Sequence, residues 1–170
     1  MRFIIFSDSH GSISNMREAL RRNAGTGLDG IIFLGDGLKS AKQLADESGL
    51  ELYAVAGNCD FGPDIDPTRL DTYEKLLDFD GVKVLITHGH KYMVKTNGEV
   101  INKYARSKGA DVVLYGHTHR RNDNCIHGAE GEKDLRVFNP GSIALPRDSG
   151  DSFGLMEIKN GVVYLSHGEI

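Results

Sequence analysis

Five times in this chain a short apolar run stops and releases side chains able to hold a metal ion, and few folds can produce that pattern. The clearest case is the last: residues 111–115 have the continuous apolar character of a strand buried on both faces, and Gly116 permits a sharp exit. His117 and His119 follow, and because residues i and i+2 of extended chain point the same way, the pair can serve one ion. The other exits are Asp8-Ser9-His10, Gly35-Asp36-Gly37, Gly57-Asn58-Cys59-Asp60 and His88-Gly89-His90, each after an apolar run; five of the seven histidines lie at these exits. Singly, each has an ordinary explanation: Asp8 as a helix cap, Asp36 and Asn58 as turn formers, His88 as a satisfied buried histidine. Jointly, chance does not place ligand side chains after strand upon strand.

Between the exits the periodicity becomes helical. Ser12 or Ser14 can cap a helix to about residue 23 with Met16, Ala19 and Leu20 inward, and Ser40 begins one through 48 with Ala41, Leu44 and Ala45 inward. Asn97 can cap a third over 98–108, its apolar face given by Val100, Ile101, Tyr104 and Ala105. Residues 72–79 and 82–87 read as a hairpin about Asp80-Gly81. After His119 the helical periods stop, and 124–126, 135–139, 152–158 and 162–166 read as short strands, the last two joined at Lys159-Asn160-Gly161. Stretches 61–69 and 128–134 read as loops. Alternating strand and helix implies parallel strands in the first two thirds, and the later strands suggest a second, largely antiparallel sheet. The expected fold is α/β: one domain over 1–170, two sheets packed together with helices outside, and a site beyond the carboxyl ends of the strands.

Two spellings mislead. Gly25-Thr26-Gly27-Leu28-Asp29-Gly30 matches G-x-G-x-x-G but follows a helix and precedes a strand, the reverse of a dinucleotide fingerprint. Gly37-Leu38-Lys39-Ser40 lacks the Gly-Lys-Ser adjacency of a phosphate loop.

Composition narrows the partners. A formal net charge of -4 gives no overall basic field, so no stable nucleic-acid complex is expected. No apolar run approaches the roughly twenty residues of a membrane span, and the amino terminus lacks a signal-peptide pattern. Cys59 and Cys125 form no C-x-x-C pair, which excludes a disulfide framework or zinc finger and suits a cytoplasmic location. Imidazole and carboxylate or amide donors favour manganese, iron, nickel, cobalt or zinc over magnesium or calcium. One aspartate can bridge two cations, and two dications leave a locally positive centre that attracts an anion into an acidic protein.

In order and spacing the five blocks resemble the calcineurin-like metallophosphoesterase family, and within it the small single-domain phosphodiesterases of the YfcE type. Asn139-Pro140-Gly141-Ser142 also resembles a turn of that subgroup. The resemblance implies a four-layer α/β/β/α sandwich and two divalent transition-metal ions, manganese foremost, with nickel, iron, cobalt or zinc as alternatives. Asp8, His10 and His119 would hold the first ion, Asn58, His88 and His117 the second, and Asp36 would bridge. It further implies a small phosphodiester substrate attacked in line by a metal-bridging hydroxide. A phosphomonoesterase and a non-catalytic protein-binding scaffold on the same fold are the alternatives, and a homo-oligomer is left open.

The departure from pattern is Cys59. Many members carry histidine there, thought to protonate the leaving alkoxide, and a thiol of pKa about 8.5 is a weaker acid. The expectation is slow turnover of poor leaving groups and faster turnover of aryl diesters. Asp60 is expected to orient its neighbours and His90 to share the protonating role, so the catalytic set is Asn58, Cys59, Asp60 and His90. Arg120, Arg121 and Arg147 are candidate phosphate contacts, weighed against solvated surface arginines.

Overall fold

The computed structural model describes residues 1–63, 65–148 and 150–170; Asp64, within the 61–69 loop, and Ser149 lie outside them. The first half is a βαβαβ unit: β1 (Arg2–Phe6), α1 (Ile13–Arg22), β2 (Gly30–Phe33), α2 (Leu38–Ser48) and β3 (Glu51–Ala54). These strands pair parallel, with Phe6 opposite Phe33 and Phe33 opposite Ala54. The hairpin β4 (Glu74–Phe79) and β5 (Val82–Thr87) follows, then α3 (Glu99–Ser107), β6 (Val112–Tyr115), β7 (Arg121–Ile126), β8 (Leu135–Pro140), β9 (Ser152–Lys159) and β10 (Val162–Glu169). Asp80-Gly81 and Asn160-Gly161 both have positive φ at both residues, which a tight two-residue hairpin turn demands.

The sheet orders are β10-β9-β1-β2-β3 and β4-β5-β6-β8-β7. The expectation of a separate antiparallel sheet from the later strands is therefore corrected: β9 and β10 complete the first sheet on the open edge of β1, while β8 continues the parallel run β5-β6-β8 of the second. Each sheet is mixed: β9 joins β1 antiparallel in the first, and β4 and β7 lie antiparallel to β5 and β8 at the edges of the second.

Strand alternation sorts the apolar residues into three layers. Phe3, Ile5, Ile32, Leu34 and Met156 of one sheet meet Phe79, Val84, Ile86, Leu114 and Phe138 of the other in the seam. The opposite-facing Ile4, Phe6, Ile31 and Phe33 pack on Met16, Ala19, Ala41 and Leu44 of α1 and α2. Leu85, Val113, Leu135 and Val137 pack under Ile101 and Ala105 of α3. Val100 departs from the expected apolar face: it is exposed, because the Ile101–Ala105 stripe turns it toward solvent.

Helix starts also differ from expectation. Ser12 stands at the N-cap of α1 without a side-chain cap bond. Ser40 lies inside α2, whose Gly37 and Leu38 N–H groups donate instead to the Asp60 carboxylate, each at 2.8 Å. Gly98, not Asn97, stands at the N-cap of α3, and Asn97 Oδ1 accepts the Glu99 N–H from one residue earlier, at 3.2 Å.

Candidate metal centre

The carboxyl ends of β1, β2, β3, β5 and β6 open onto one pocket, and four side chains there share a design. Each ties one polar atom to its surroundings and turns the other inward. Asp8 Oδ2 accepts from the Ser7 hydroxyl (2.6 Å) and the His117 N–H (3.0 Å), leaving Oδ1 inward. Asp36 Oδ1 accepts the Cys59 N–H (2.7 Å), leaving Oδ2 inward. His88 Nδ1 donates to the Leu34 carbonyl and His119 Nδ1 to the Leu145 carbonyl, both at 2.7 Å, leaving each Nε2 inward. A backbone carbonyl holding Nδ1–H fixes the tautomer that presents Nε2 as a ligand.

The inward atoms converge. His10 Nε2 lies 3.4 Å from His119 Nε2, and His119 Nε2 lies 3.1 Å from Asp8 Oδ1. His88 Nε2 stands 3.4 Å from Asp36 Oδ2, 4.0 Å from Asp8 Oδ1, 3.2 Å from Asn58 Oδ1 and 3.1 Å from His117 Nδ1. All seven expected ligands are thus brought together, in an Asp8-His10-His119 group and an adjoining group around His88. Asp8, Asp36 and His88 form a buried floor, whereas His10, Asn58 and Cys59 form an exposed rim.

This arrangement fits cations. Asp8 Oδ1 is buried with no aligned hydrogen-bond donor when His119 is neutral, since the facing Nε2 then carries no hydrogen while Nδ1 does. A neutral His88 would point an Nε2 lone pair at two acceptor oxygens, an unfavourable contact that a cation resolves. Two ligand nitrogens each about 2.0–2.1 Å from one ion sit roughly 3–3.5 Å apart, the spacing of His10 and His119.

With protons in place of metal, the electrostatics follow the same logic. Burial raises the pKa of Asp8 and Asp36, but His119 beside the first and His88 beside the second outweigh it and hold both carboxyls below their usual range. Burial opposes protonation of His88, yet Asp36 and Asp8 raise its pKa; the Asp8 contact raises that of His119. His117 is pushed down to about 4 by burial, then by the charges of His88 and Lys95. His90 is also pushed down to about 4, by burial, His88 and Lys91. Burial, followed by neighbouring Asp36, pushes the Cys59 thiol up.

The other expected catalytic residues take separate places. Cys59 brings its sulfur among the ligand atoms of His10 and Asp36, mutually within 4.8 Å. Asp60 is committed to backbone, accepting four N–H groups, those of Asp36 (2.9 Å), Gly37, Leu38 and Gly57 (2.8 Å each). It thereby pins the Asp36 exit to the Asn58 exit and caps α2. His90 packs its ring against Tyr73 (5.3 Å) and His88 (5.4 Å), behind the ligands.

Sequence reasoning missed two features. Asp8, His10, Asp36, His117 and His119 all have positive φ, between 44° and 66°, a conformation that costs a non-glycine residue about 1–3 kcal/mol. The neighbouring glycines were the available signal: a Cβ at Gly57 would lie 2.0 Å from Asp36 Oδ1, and one at Gly116 would lie 1.9 Å from the Ser7 hydroxyl. The second feature is the brace that holds this strain. Asn139 donates from Nδ2 to the Gly116 carbonyl (3.0 Å) and Thr118 Oγ1 (3.1 Å), and the Ser142 hydroxyl donates to the Asp8 carbonyl (2.8 Å). The Asn139-Pro140-Gly141-Ser142 turn thus joins the first exit to the last.

Residues 1–161 match the family described as Calcineurin-like phosphoesterase superfamily domain. The chain is similar to the probable metallophosphoesterase YsnB of Bacillus subtilis (strain 168), 35% identical over 164 residues that cover 94% of this chain and 86% of that protein. It is also similar to the phosphodiesterase YfcE of Escherichia coli (strain K12), 28% identical over 178 residues, covering 92% and 88%. A crystal structure of a predicted phosphoesterase from Streptococcus pneumoniae TIGR4 shares the fold, with a TM-score of 0.76, 24% identity and coverage of 98% of this chain and 87% of that one.

Proposed function

The chain belongs to the calcineurin-like phosphoesterase superfamily, and from that premise we propose that it is a metal-dependent phosphodiesterase acting on small diesters in the cytoplasm. The observation that carries the reading is the convergence of inward-facing Asp8 Oδ1, Asp36 Oδ2, His88 Nε2 and His119 Nε2, each with its second polar atom already tied. Asp8, His10 and His119 would hold one divalent ion and Asn58, His88 and His117 another, with Asp36 between them; manganese is the first candidate. When bound, such ions supply Lewis acidity toward a phosphoryl oxygen and acidify a water toward neutral pH.

The chain's own groups supply the rest. Asp36 stays deprotonated, and the backbone carbonyls that hold Nδ1–H of His88 and His119 leave Nε2 as the atom that exchanges a proton for an ion, so the donors are already in place. Cys59, its pKa raised, keeps its S–H at neutral pH and stands at the rim as the proton donor toward a leaving alkoxide. His90, pushed to about 4, carries no proton to give and positions His88 by packing. Asp60 positions Asp36 through backbone bonds. A thiol is a modest acid, which favours diesters over monoesters with poor leaving groups.

The test is elemental analysis of purified, chelator-stripped and manganese-reloaded protein, with hydrolysis of bis(p-nitrophenyl) phosphate and p-nitrophenyl phosphate in parallel. Two ions per chain and metal-restored diester hydrolysis exceeding monoester hydrolysis are expected. Protein that keeps no manganese and hydrolyses neither ester would return the chain to the scaffold reading.

A further inference from the structure

Of the ten arginines in the sequence, eight hold carboxylates. Arg2 pairs with Glu157, Arg17 with Glu47, Arg21 and Arg22 with Glu18, Arg69 with Asp71, Arg106 with Glu132, Arg121 with Asp148 and Glu169, and Arg136 with Asp123. Among the described residues only Arg120 and Arg147 have no acidic partner, and both line one groove of about 350 Å3 together with Lys95. No carboxylate lines that groove. With 24 acidic against 20 basic side chains, a shortage of acids does not explain two arginines left unpaired at one place.

The groove adjoins the metal centre. Thr118, between His117 and His119, forms part of its wall, as does Tyr115 at the end of β6. Both unpaired arginines are anchored to the same loop by backbone: the Arg147 N–H donates to the His119 carbonyl (2.8 Å) and the Arg120 N–H to Thr118 Oγ1 (3.3 Å). Two guanidinium forks and an ammonium with no internal counter-ion suit a phosphate, which guanidinium binds in a bidentate manner.

Resting on the phosphodiesterase reading, we infer that the substrate carries a second phosphate, which Lys95, Arg120 and Arg147 hold while the metal centre holds the scissile diester. The substrate class is therefore a phosphodiester bearing an additional phosphate on the arm that runs past Thr118, and a nucleoside bisphosphate ester serves as its probe. A simple dialkyl or diaryl phosphate leaves this groove empty.

The test compares the p-nitrophenyl ester of thymidine 5′-phosphate with the same ester carrying a 3′-phosphate, so that scissile bond and leaving group are identical. In the native protein the 3′-phosphate is expected to raise kcat/KM by about tenfold, mostly through KM, and in Arg120→Ala/Arg147→Ala the ratio of the two esters is expected to fall to about one. A ratio near one in the native protein, or an unchanged ratio in the double variant, overturns the inference. Calorimetric titration of thymidine 3′,5′-bisphosphate and thymidine 5′-monophosphate in EDTA separates this from the diesterase reading. Tighter bisphosphate binding by about fivefold or more, lost in the double variant, supports the phosphate subsite even where neither ester is hydrolysed; equal binding by the native protein overturns it.

Discussion

Asp8, Asp36 and His88 lie buried at the floor of the centre with their outer atoms tied to the protein, whereas His10, Asn58 and Cys59 at the rim are open to solvent. The floor atoms cannot turn to other partners without breaking a bond of 2.7–3.0 Å to backbone. The rim side chains can; Asn58 Nδ2, for instance, donates to the neighbouring Cys59 sulfur at 3.2 Å, a contact within the rim itself. The difference teaches a division of labour for the proposed reaction: the rigid, buried groups would fix where ions sit, while His10 and Asn58 would complete their coordination from the accessible rim, where Cys59 faces the leaving group.

The largest effect should come from the floor. Asp36→Asn should lower kcat/KM on bis(p-nitrophenyl) phosphate by about 10³-fold or more and reduce bound metal, whereas Asn58→Ala at the rim should cost roughly ten- to a hundredfold. Kinetics with elemental analysis measures both, and equal losses would break the distinction.

Next comes the joint between the two regions. Asp60→Ala strips the acceptor from four backbone N–H groups and should destabilise the fold by about 2–4 kcal/mol, lowering Tm by roughly 5–10 °C. A thermal melt that does not move would show that the two exits hold their positions independently.

A smaller change is expected at Cys59. Cys59→His should raise turnover of alkyl diesters about tenfold and of aryl diesters far less, with metal content unaltered, because only a poor leaving group needs the stronger acid. Equal gains on both classes would remove the acid role from this position.

The smallest effect is on stability against pH in metal-free protein. Asp8 and Asp36 have depressed folded-state pKa values, so their contribution is present above the unfolded carboxylate value and lost as pH falls through the folded ones. His90 and His117, at about 4 when folded against about 6.5 unfolded, add stability as pH rises through that window. His88 and His119 are raised, so their contribution is full below about 6.5 and lost as pH rises through their folded values. Chelated protein should therefore melt highest near pH 6–7 and decline on the alkaline side, and manganese should remove that decline by taking the proton's place at His88 Nε2. Parallel alkaline declines with and without manganese would mean that these histidines do not bind it.

Both regions were legible as residue types at strand exits, but which way each side chain turns was not. Apolar runs ending in Asp8, Asp36, His88 and His117 announce strand exits because burial on two faces leaves a continuous apolar signature. Cys59 and Asp60 follow such a run too, but the run does not separate their roles. They are adjacent in sequence, and nothing in their spacing says that one meets His10 and Asp36 while the other accepts four amides. The late strands were misassigned for a related reason: a short half-buried strand reads alike whichever edge it joins, and the open side of β1 exists only once the βαβαβ unit has formed.

By itself the sequence determined the strands and helices, through their apolar periods, and the ligand types at five exits, through their chemistry. Tertiary structure alone decided which oxygen of Asp8 and which nitrogen of His88 face inward, because those choices depend on Ser7, the His117 amide and the Leu34 carbonyl arriving from other strands. It also decided that, among the described residues, Arg120 and Arg147 have no acidic partner while Arg121 finds Asp148 and Glu169, since pairing is a matter of distance through space and two successive residues can meet entirely different neighbours.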